Sequence, residues 1–260
     1  SQAVSFILLG SIGGALLGPE LAARSPEWNP AQPFAAAFLG ATGCYALAAM
    51  ALALFRARQE LGSEEVDDEA PRRLMAIIIL PVVTAAVLGG VVGQGVMTFV
   101  MTATPVSMHV VDGHSLADTA SVIRAHVIAM YLPSLFSGFL IGWLGARQVM
   151  LVGVVALGCT IGLGSLGHEF VHYWGALVLL GIGWNFLFVG GTTLLVQSYR
   201  PVERYRMQAL NDFSVFGASA LASLLGGAVL LQFGWDTVLM ASALPLLLML
   251  VVLMRIPKTA

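Results

Sequence analysis

Residues 72–101 read RRLMAIIILPVVTAAVLGGVVGQGVMTFVM, two arginines and then an apolar run without one charge. A helix of about 20 such residues crosses the hydrocarbon core of a bilayer, and the run from Leu74 to Met101 exceeds that. Seven other stretches share its character, near residues 3–23, 34–55, 119–143, 147–166, 174–198, 208–232 and 236–255. The basic residues between them are sorted. Arg56, Arg58, Arg72 and Arg73 lie between the second and third stretches, and Arg147 lies between the fourth and fifth. Arg200, Arg204 and Arg206 lie between the sixth and seventh, and Arg255 and Lys258 follow the eighth. The alternate connections hold only Arg24. Positive loops stay cytoplasmic. The basic side is therefore predicted to lie inside an inner membrane, with the first helix running inside to out and the C-terminus cytoplasmic.

Composition narrows the class further. Hydrophobic residues make up 58% and charged residues 10%, and the mean hydropathy is +0.89. A soluble domain carries about 25% charged residues, so the predicted fold is an all-α polytopic membrane bundle of about eight transmembrane helices. No basic patch points to nucleic acid. Cys44 and Cys159 both fall inside apolar stretches and read as small packing residues, not as a disulfide or a metal pair. The chain opens at Ser1 with no basic segment before the first stretch. That makes a signal peptide a poor reading and a fragment of a longer protein the expected one. No Gly-x4-Gly-Lys-Ser/Thr run is present, and no cofactor, metal or enzyme activity is expected.

The first stretch carries Gly10, Gly13, Gly14 and Gly18, then Pro19. Glycines at four-residue spacing admit a neighbouring helix, and Pro19 is placed to kink the outer end. Residues 24–33 form a proline-rich outer loop with Trp28 as an interfacial anchor. Residues 56–73 are the long charged connection, with Glu60, Glu64, Glu65, Asp67, Asp68 and Glu69 between flanking arginines. They read as a solvated linker between 1–55, with two helices, and 74–260, with six. The eighth stretch has almost nothing polar and is expected at the lipid edge.

Polar groups inside a membrane are costly and face a partner or a cavity. Arg124 and His126 lie in the fourth stretch, two positions apart, so they point different ways on a helix. Arg124 either faces a cavity, pairs with an acid or snorkels outward; His126 either titrates or closes a packed polar contact. Asp212, beside Asn211 in the seventh stretch, reads as a proton-carrying carboxylate, a gate, or a partner for Arg204 or Arg206. Gln94, Trp184 and Asn185 are mid-span and read as solute contacts or as interhelical hydrogen-bonding groups. His168-Glu169-Phe-Val-His172 matches the H-E-x-x-H pattern in which two histidines bind zinc and the glutamate is a base, but it lies in a short outer connection with no third ligand nearby in the chain, Asp112 and His114 on another outer loop being the ones that could be imagined.

The tight turn from Gly138 through Leu140, Gly142, Trp143 and Gly145 to Arg147 resembles the degenerate second copy of the major facilitator superfamily signature. Gly138, Leu140, Gly145 and Arg147 match, while Gly142 and Trp143 stand where the signature has an acid and an arginine. The Gly10 to Gly18-Pro19 run is similar to the motif of the fifth helix in that superfamily. Within it, a bacterial permease branch that includes proposed riboflavin transporters resembles this chain in several stretches. These are Gly113-His114-Ser115-Leu116, His126-Val127 with Met130 and Pro133-Ser134, Leu179 to Asn185-Phe186, Arg200-Pro201 with Glu203, and Gln208 to Phe213 with Phe216-Gly217. His172-Tyr173-Trp174-Gly175 also fits the branch. One departure is Arg124-Ala125, where the branch has Gln-Trp.

The resemblance implies helices five to twelve of a secondary active transporter that moves a small solute by alternating access, coupled to an ion gradient. Its expected partners are the solute, the lipid bilayer and the missing N-terminal helices of the same protein. It makes Gln94, Arg124, His126, Trp184 and Asn185 the candidate cavity residues. His126 and Asp212 become candidates for proton coupling or gating, and Gly18, Pro19, Gly138, Leu140, Gly145 and Arg147 the conformational motif. Two alternatives stay open: a non-transporting truncated membrane scaffold, and an intramembrane zinc metalloprotease using the HEFVH stretch.

Overall fold

A computed structural model of the chain describes residues 13–14, 17–18, 20–22, 24–28, 30–54 and 70–256. Gly10, Pro19, Lys258 and most of the 56–73 linker lie outside the described residues. The architecture is all-α, with no strand among the described residues. Helix α1 spans Ala35–Leu54, α2 Leu74–Ile78, α3 Pro81–Pro105, α4 Leu116–Tyr131, α5 Ser134–Leu144 and α6 Ala146–Gly164. Helices α7 (Phe170–Ser198), α8 (Arg204–Phe233), α9 (Trp235–Ala241) and α10 (Ala243–Arg255) follow. Five helical runs among the described residues are long and apolar enough to cross a membrane, and the α4–α5 pair makes a sixth. With 29 and 30 residues, α7 and α8 are about 44 Å long, more than the roughly 30 Å hydrocarbon core.

Proline and glycine set the breaks. Leu80 is extended, with ψ 126°, because the residue before a proline is pushed from helical backbone, so α2 and α3 are separate pieces of one apolar run. Past Pro105 the backbone widens into a π-helical turn, Val106–Val111. Pro133 lies at the junction of α4 and α5, which are bent by 41°. The α5–α6 turn is one residue, Gly145, whose φ of +86° favours glycine. Helix α4 begins at Leu116, earlier than the apolar stretch indicates, because Ser115 caps it by accepting from the Asp118 N–H at 3.0 Å.

Helix α7 is the most widely packed element and lies on α3, α4 and α6. The approach is close enough to exclude side chains. A Cβ added at Gly181 would stand 2.6 Å from the His126 carbonyl oxygen on α4. The core around α7 includes Leu177, Leu180, Leu187 and Leu194, with Met150, Leu157 and Met249 from neighbouring helices. Cys44 and Cys159 are exposed on α1 and α6 among the described residues. Of the apolar window of the seventh stretch 17% is buried, and of that of α9–α10 33%.

Gly181→Val is expected to lower the thermal midpoint in detergent, at a cost of about 1–3 kcal/mol for overpacking. Gly138→Val on α5, where an added Cβ meets nothing within 4 Å, should leave the midpoint in place. Equal midpoints for both variants would contradict the packing described.

Candidate functional site

Four helices bring polar and aromatic side chains together near mid-height. Gln94 lies near the middle of α3, Trp184 of α7 and Ser219 of α8, and Tyr131 at the α4–α5 bend. Trp184 Nε1 donates to Gln94 Oε1 at 2.8 Å. An indole nitrogen can only donate, so this contact fixes which way the amide points. The amide nitrogen then faces Thr98 Oγ1 at 3.4 Å and Ser219 Oγ at 3.5 Å, and those two hydroxyls are 2.9 Å apart. The Trp184 ring stacks on Phe188 at 5.0 Å and meets the Tyr131 ring edge-on at 6.2 Å. Trp184 is 8% exposed and Phe188 38% exposed. Gln94 and Trp184 are thus joined, while Tyr131, Phe188, Thr98 and Ser219 were not singled out from sequence. The i, i+4 spacing of Trp184 and Phe188, and of Gln94 and Thr98, is a signal for Phe188 and Thr98; Tyr131 and Ser219 lie on other helices and carry none.

Asn185 turns the other way. Its amide nitrogen donates to the Met130 carbonyl at 2.7 Å and to Ser134 Oγ. Ser137 Oγ shares its proton between Asn185 Oδ1 at 2.9 Å and the Pro133 carbonyl at 2.8 Å. Asn185 therefore satisfies the backbone that the Pro133 bend disturbs. His126 is likewise buried against α7, with Nδ1 2.8 Å from the Leu177 carbonyl. A carbonyl only accepts, so Nδ1 carries the hydrogen; Nε2 is buried without a partner among the described residues.

Arg124 reaches away from both. Its Nη2 lies 2.7 Å from Glu20 Oε2, and Arg24 pairs with the other Glu20 oxygen. One carboxylate on the first segment thus links α4 to that segment, beside a cavity of about 400 Å³ lined by Glu20, Arg24, Glu27, Ala120 and Arg124. Glu20 is a further residue not singled out from sequence, although an acid for Arg124 was among the readings. Asp212 is exposed on α8, where its Oδ1 accepts from the Asn211 amide at 3.3 Å. Gly18 has open space around it, as does Gly138, and Leu140 is half-buried. Arg147 is buried and donates from Nε to the Leu253 carbonyl at 2.7 Å, tying α6 to α10.

The two ends of the bundle are closed by different chemistry. At the arginine end, Arg72 grips Glu203 through Nε at 2.8 Å and Nη2 at 2.7 Å, and Glu203 is 1% exposed. The Arg200 N–H also donates to Glu203, at 3.0 Å. The hydrogen bonds that Arg72 donates to the Glu203 carboxylate raise the guanidinium above its ordinary value. At the opposite end Asp112 Oδ2 accepts from Tyr173 at 2.6 Å and pairs with His168 Nδ1 at 2.9 Å. His172 lies against Gly167. Among the described residues no three His, Cys, Asp or Glu side chains are grouped to hold a metal ion.

An all-α, multi-pass membrane protein with a polar and aromatic cluster at mid-height is the class these features define. Residues 113–260 match the Major Facilitator Superfamily, and the chain belongs to that family. It is 36% identical over 238 residues to the riboflavin transporter RfnT of Brucella anthropi, covering 92% of this chain and 60% of that protein. It is 29% identical over 269 residues to the uncharacterized MFS-type transporter YddS of Bacillus subtilis, covering 96% of this chain and 61% of that protein. A second Bacillus subtilis protein, the uncharacterized MFS-type transporter YdeG, is 38% identical over 142 residues, which is 54% of this chain. The chain thus spans about 60% of the length of the first two relatives. No solved structure matches it.

Glu203→Gln is expected to lower the thermal midpoint by several degrees, because the bidentate grip on Arg72 needs a carboxylate. Arg72→Gln should behave alike, and the double variant should fall little further than either alone. Additive losses would show that the two side chains act independently.

Proposed function

We propose that the protein is a secondary active transporter that moves a small solute by alternating access. The observation that carries this is the mid-height convergence of Gln94, Trp184, Tyr131 and Ser219 from four helices. Transporters of this kind hold solute near the bilayer midplane and rock two halves about it. The relative named for riboflavin transport makes a flat aromatic solute the first substrate to try. In this reading residues 1–55 belong to one half, 56–73 link the halves, and 74–260 form the other. The arginine end, with Arg72, Arg147, Arg200 and Arg255, faces the cytoplasm.

Glu20 and Arg124 then act across the two halves at the outer end, holding it closed while paired. Gly145 and Arg147 anchor the inner turn that stays fixed as the halves move. An ion gradient drives transport, with His126 and Asp212 as the groups that couple protons. His126 is the buried one, with a free ring nitrogen, and Asp212 is accessible. The zinc-protease alternative gains no support from His168, which pairs with Asp112, and no observation favours a membrane scaffold.

Uptake of riboflavin into cells expressing the protein tests this. Expected is uptake above background that falls at least about tenfold with Trp184→Ala and is abolished by a protonophore. Glu20→Arg alone should impair uptake, and Glu20→Arg with Arg124→Glu should restore part of it. Uptake that ignores the protonophore removes proton coupling; saturable uptake untouched by Trp184→Ala removes the mid-height site.

A further inference from the structure

Arg72 and Arg124 each hold a carboxylate, and the two grips differ. Arg72 offers Glu203 the edge formed by Nε and Nη2, and both oxygens fill it, at 2.8 and 2.7 Å. Arg124 offers Glu20 only the Nη2 of that edge, at 2.7 Å, while its Nε is buried without a partner among the described residues. A third charge is the reason. The other oxygen of Glu20 is turned to Arg24, four residues along the same segment. One carboxylate is thus divided between two guanidinium groups, and Arg124 does not receive it as a pair of parallel bonds. Such a pair is the stronger arrangement, and a buried N–H without an acceptor is costly. Arg124 is therefore incompletely served by the residue that holds it.

The space beside it has room for the missing acceptor. The cavity of about 400 Å³ borders Glu20, Arg24, Glu27 and Arg124, with Leu116 and Ala120 of α4 as apolar wall. Ligand sites run from about 300 to 1,000 Å³, so this one suits a small body. Two arginines and two glutamates balance its charge, and Glu27 opposes a second negative charge beside it. A monoanion fits that balance better than a dianion.

We infer that this cavity is a binding site for a small organic monocarboxylate, whose two oxygens take the Nε–Nη2 edge of Arg124 in place of Glu20. The exchange strands no charge. Glu20 leaves Arg124 but keeps Arg24, which lies on its own segment, and the ligand brings the acceptor that Nε lacks. Arg124 is about one-third exposed, so the ligand reaches it from water. The site shares no residue with the mid-height cluster of Gln94, Trp184 and Ser219. Its consequence rests on the transporter reading: the Glu20–Arg124 pair ties the first segment to α4, so a bound carboxylate releases the outer closure.

Equilibrium dialysis of the protein purified in detergent tests the site, with 2-naphthoate as the probe and 2-naphthamide as its neutral counterpart of equal size. Expected is binding of 2-naphthoate at least about tenfold tighter than of 2-naphthamide. Arg124→Gln should remove that preference, and Arg124→Lys, which keeps the charge but not the fork, should lose about fivefold or more. Glu20→Gln separates this site from a purely structural ion pair. It removes the competitor for Arg124, so 2-naphthoate should bind about threefold tighter or better, whereas a loosened fold would bind it more weakly. Equal affinity for the two probes overturns the site, as does undiminished binding by Arg124→Gln or no gain with Glu20→Gln. Failure of the transporter reading looks different: the dialysis pattern holds, but the protein moves no solute into cells.

Discussion

In hydrocarbon no water is available to a buried polar group, so each one must find a partner on another helix. This constraint organises the helices packed around α7. Asn185 bonds to the α4–α5 bend, and Trp184 bonds to α3. The Leu177 carbonyl, although inside α7, also meets His126 from α4. Gly181 lets α4 come near enough for these bonds to form, since a side chain there would meet the His126 carbonyl oxygen. Small residues and polar residues on α7 are two parts of one device. The glycines set the distance, and the amide, indole and imidazole groups use it.

The ends of the bundle obey different rules because they reach water and headgroups. Arg72 and Glu203 make a bidentate pair in which the carboxylate is almost wholly covered. That pair joins the end of the charged connection to the turn between α7 and α8. At the other end Asp112 gathers Tyr173 and His168, closing the π-helical turn after Pro105 over the start of α7. The HEFVH stretch thus has a structural use for its first histidine, whose partner is an aspartate fifty-six residues away. A spacing pattern that resembles a metal site cannot register such a partner.

Much of the fold was legible because membrane insertion imposes rules on the sequence itself. Length and absence of charge were enough to place the apolar runs from Leu74 onward, though not their breaks at Pro81, Pro133 and Ser242, and the run from Gly138 to Arg147 marked a tight turn. Burial was less legible. Hydropathy does not report which face of an apolar helix meets another helix; Leu224 at 75% exposure and Leu253 at none look alike in sequence. The site was half legible for a related reason. Gln94 and Trp184 stood out as polar groups in apolar runs, but Thr98 and Ser219 are small residues that hide in any helix. Asn185, adjacent to Trp184 in the chain, points elsewhere, since neighbours on a helix face different directions. Glu20 was hidden by its place at the edge of a span, where an acid costs little and draws no notice.

These contacts also divide the molecule into parts that hold and parts that yield. Contacts at Gly181, Asn185 and His126 are backbone-close and buried, and breaking one strands a polar group in hydrocarbon. They bind α4 and α7 into one body. The Glu20–Arg124 pair is different in kind: both side chains are about one-third exposed, so separation leaves each open to water. An exposed ion pair contributes about 1 kcal/mol or less, within reach of the binding energy of a small ligand. In the proposed mechanism, alternating access would need this asymmetry, with helices too costly to deform and a closure cheap to open. The mid-height cluster joins helices bound by such costly contacts, so a solute held there would meet a preformed surface. Its binding energy would then be free to act on the weaker Glu20–Arg124 contact.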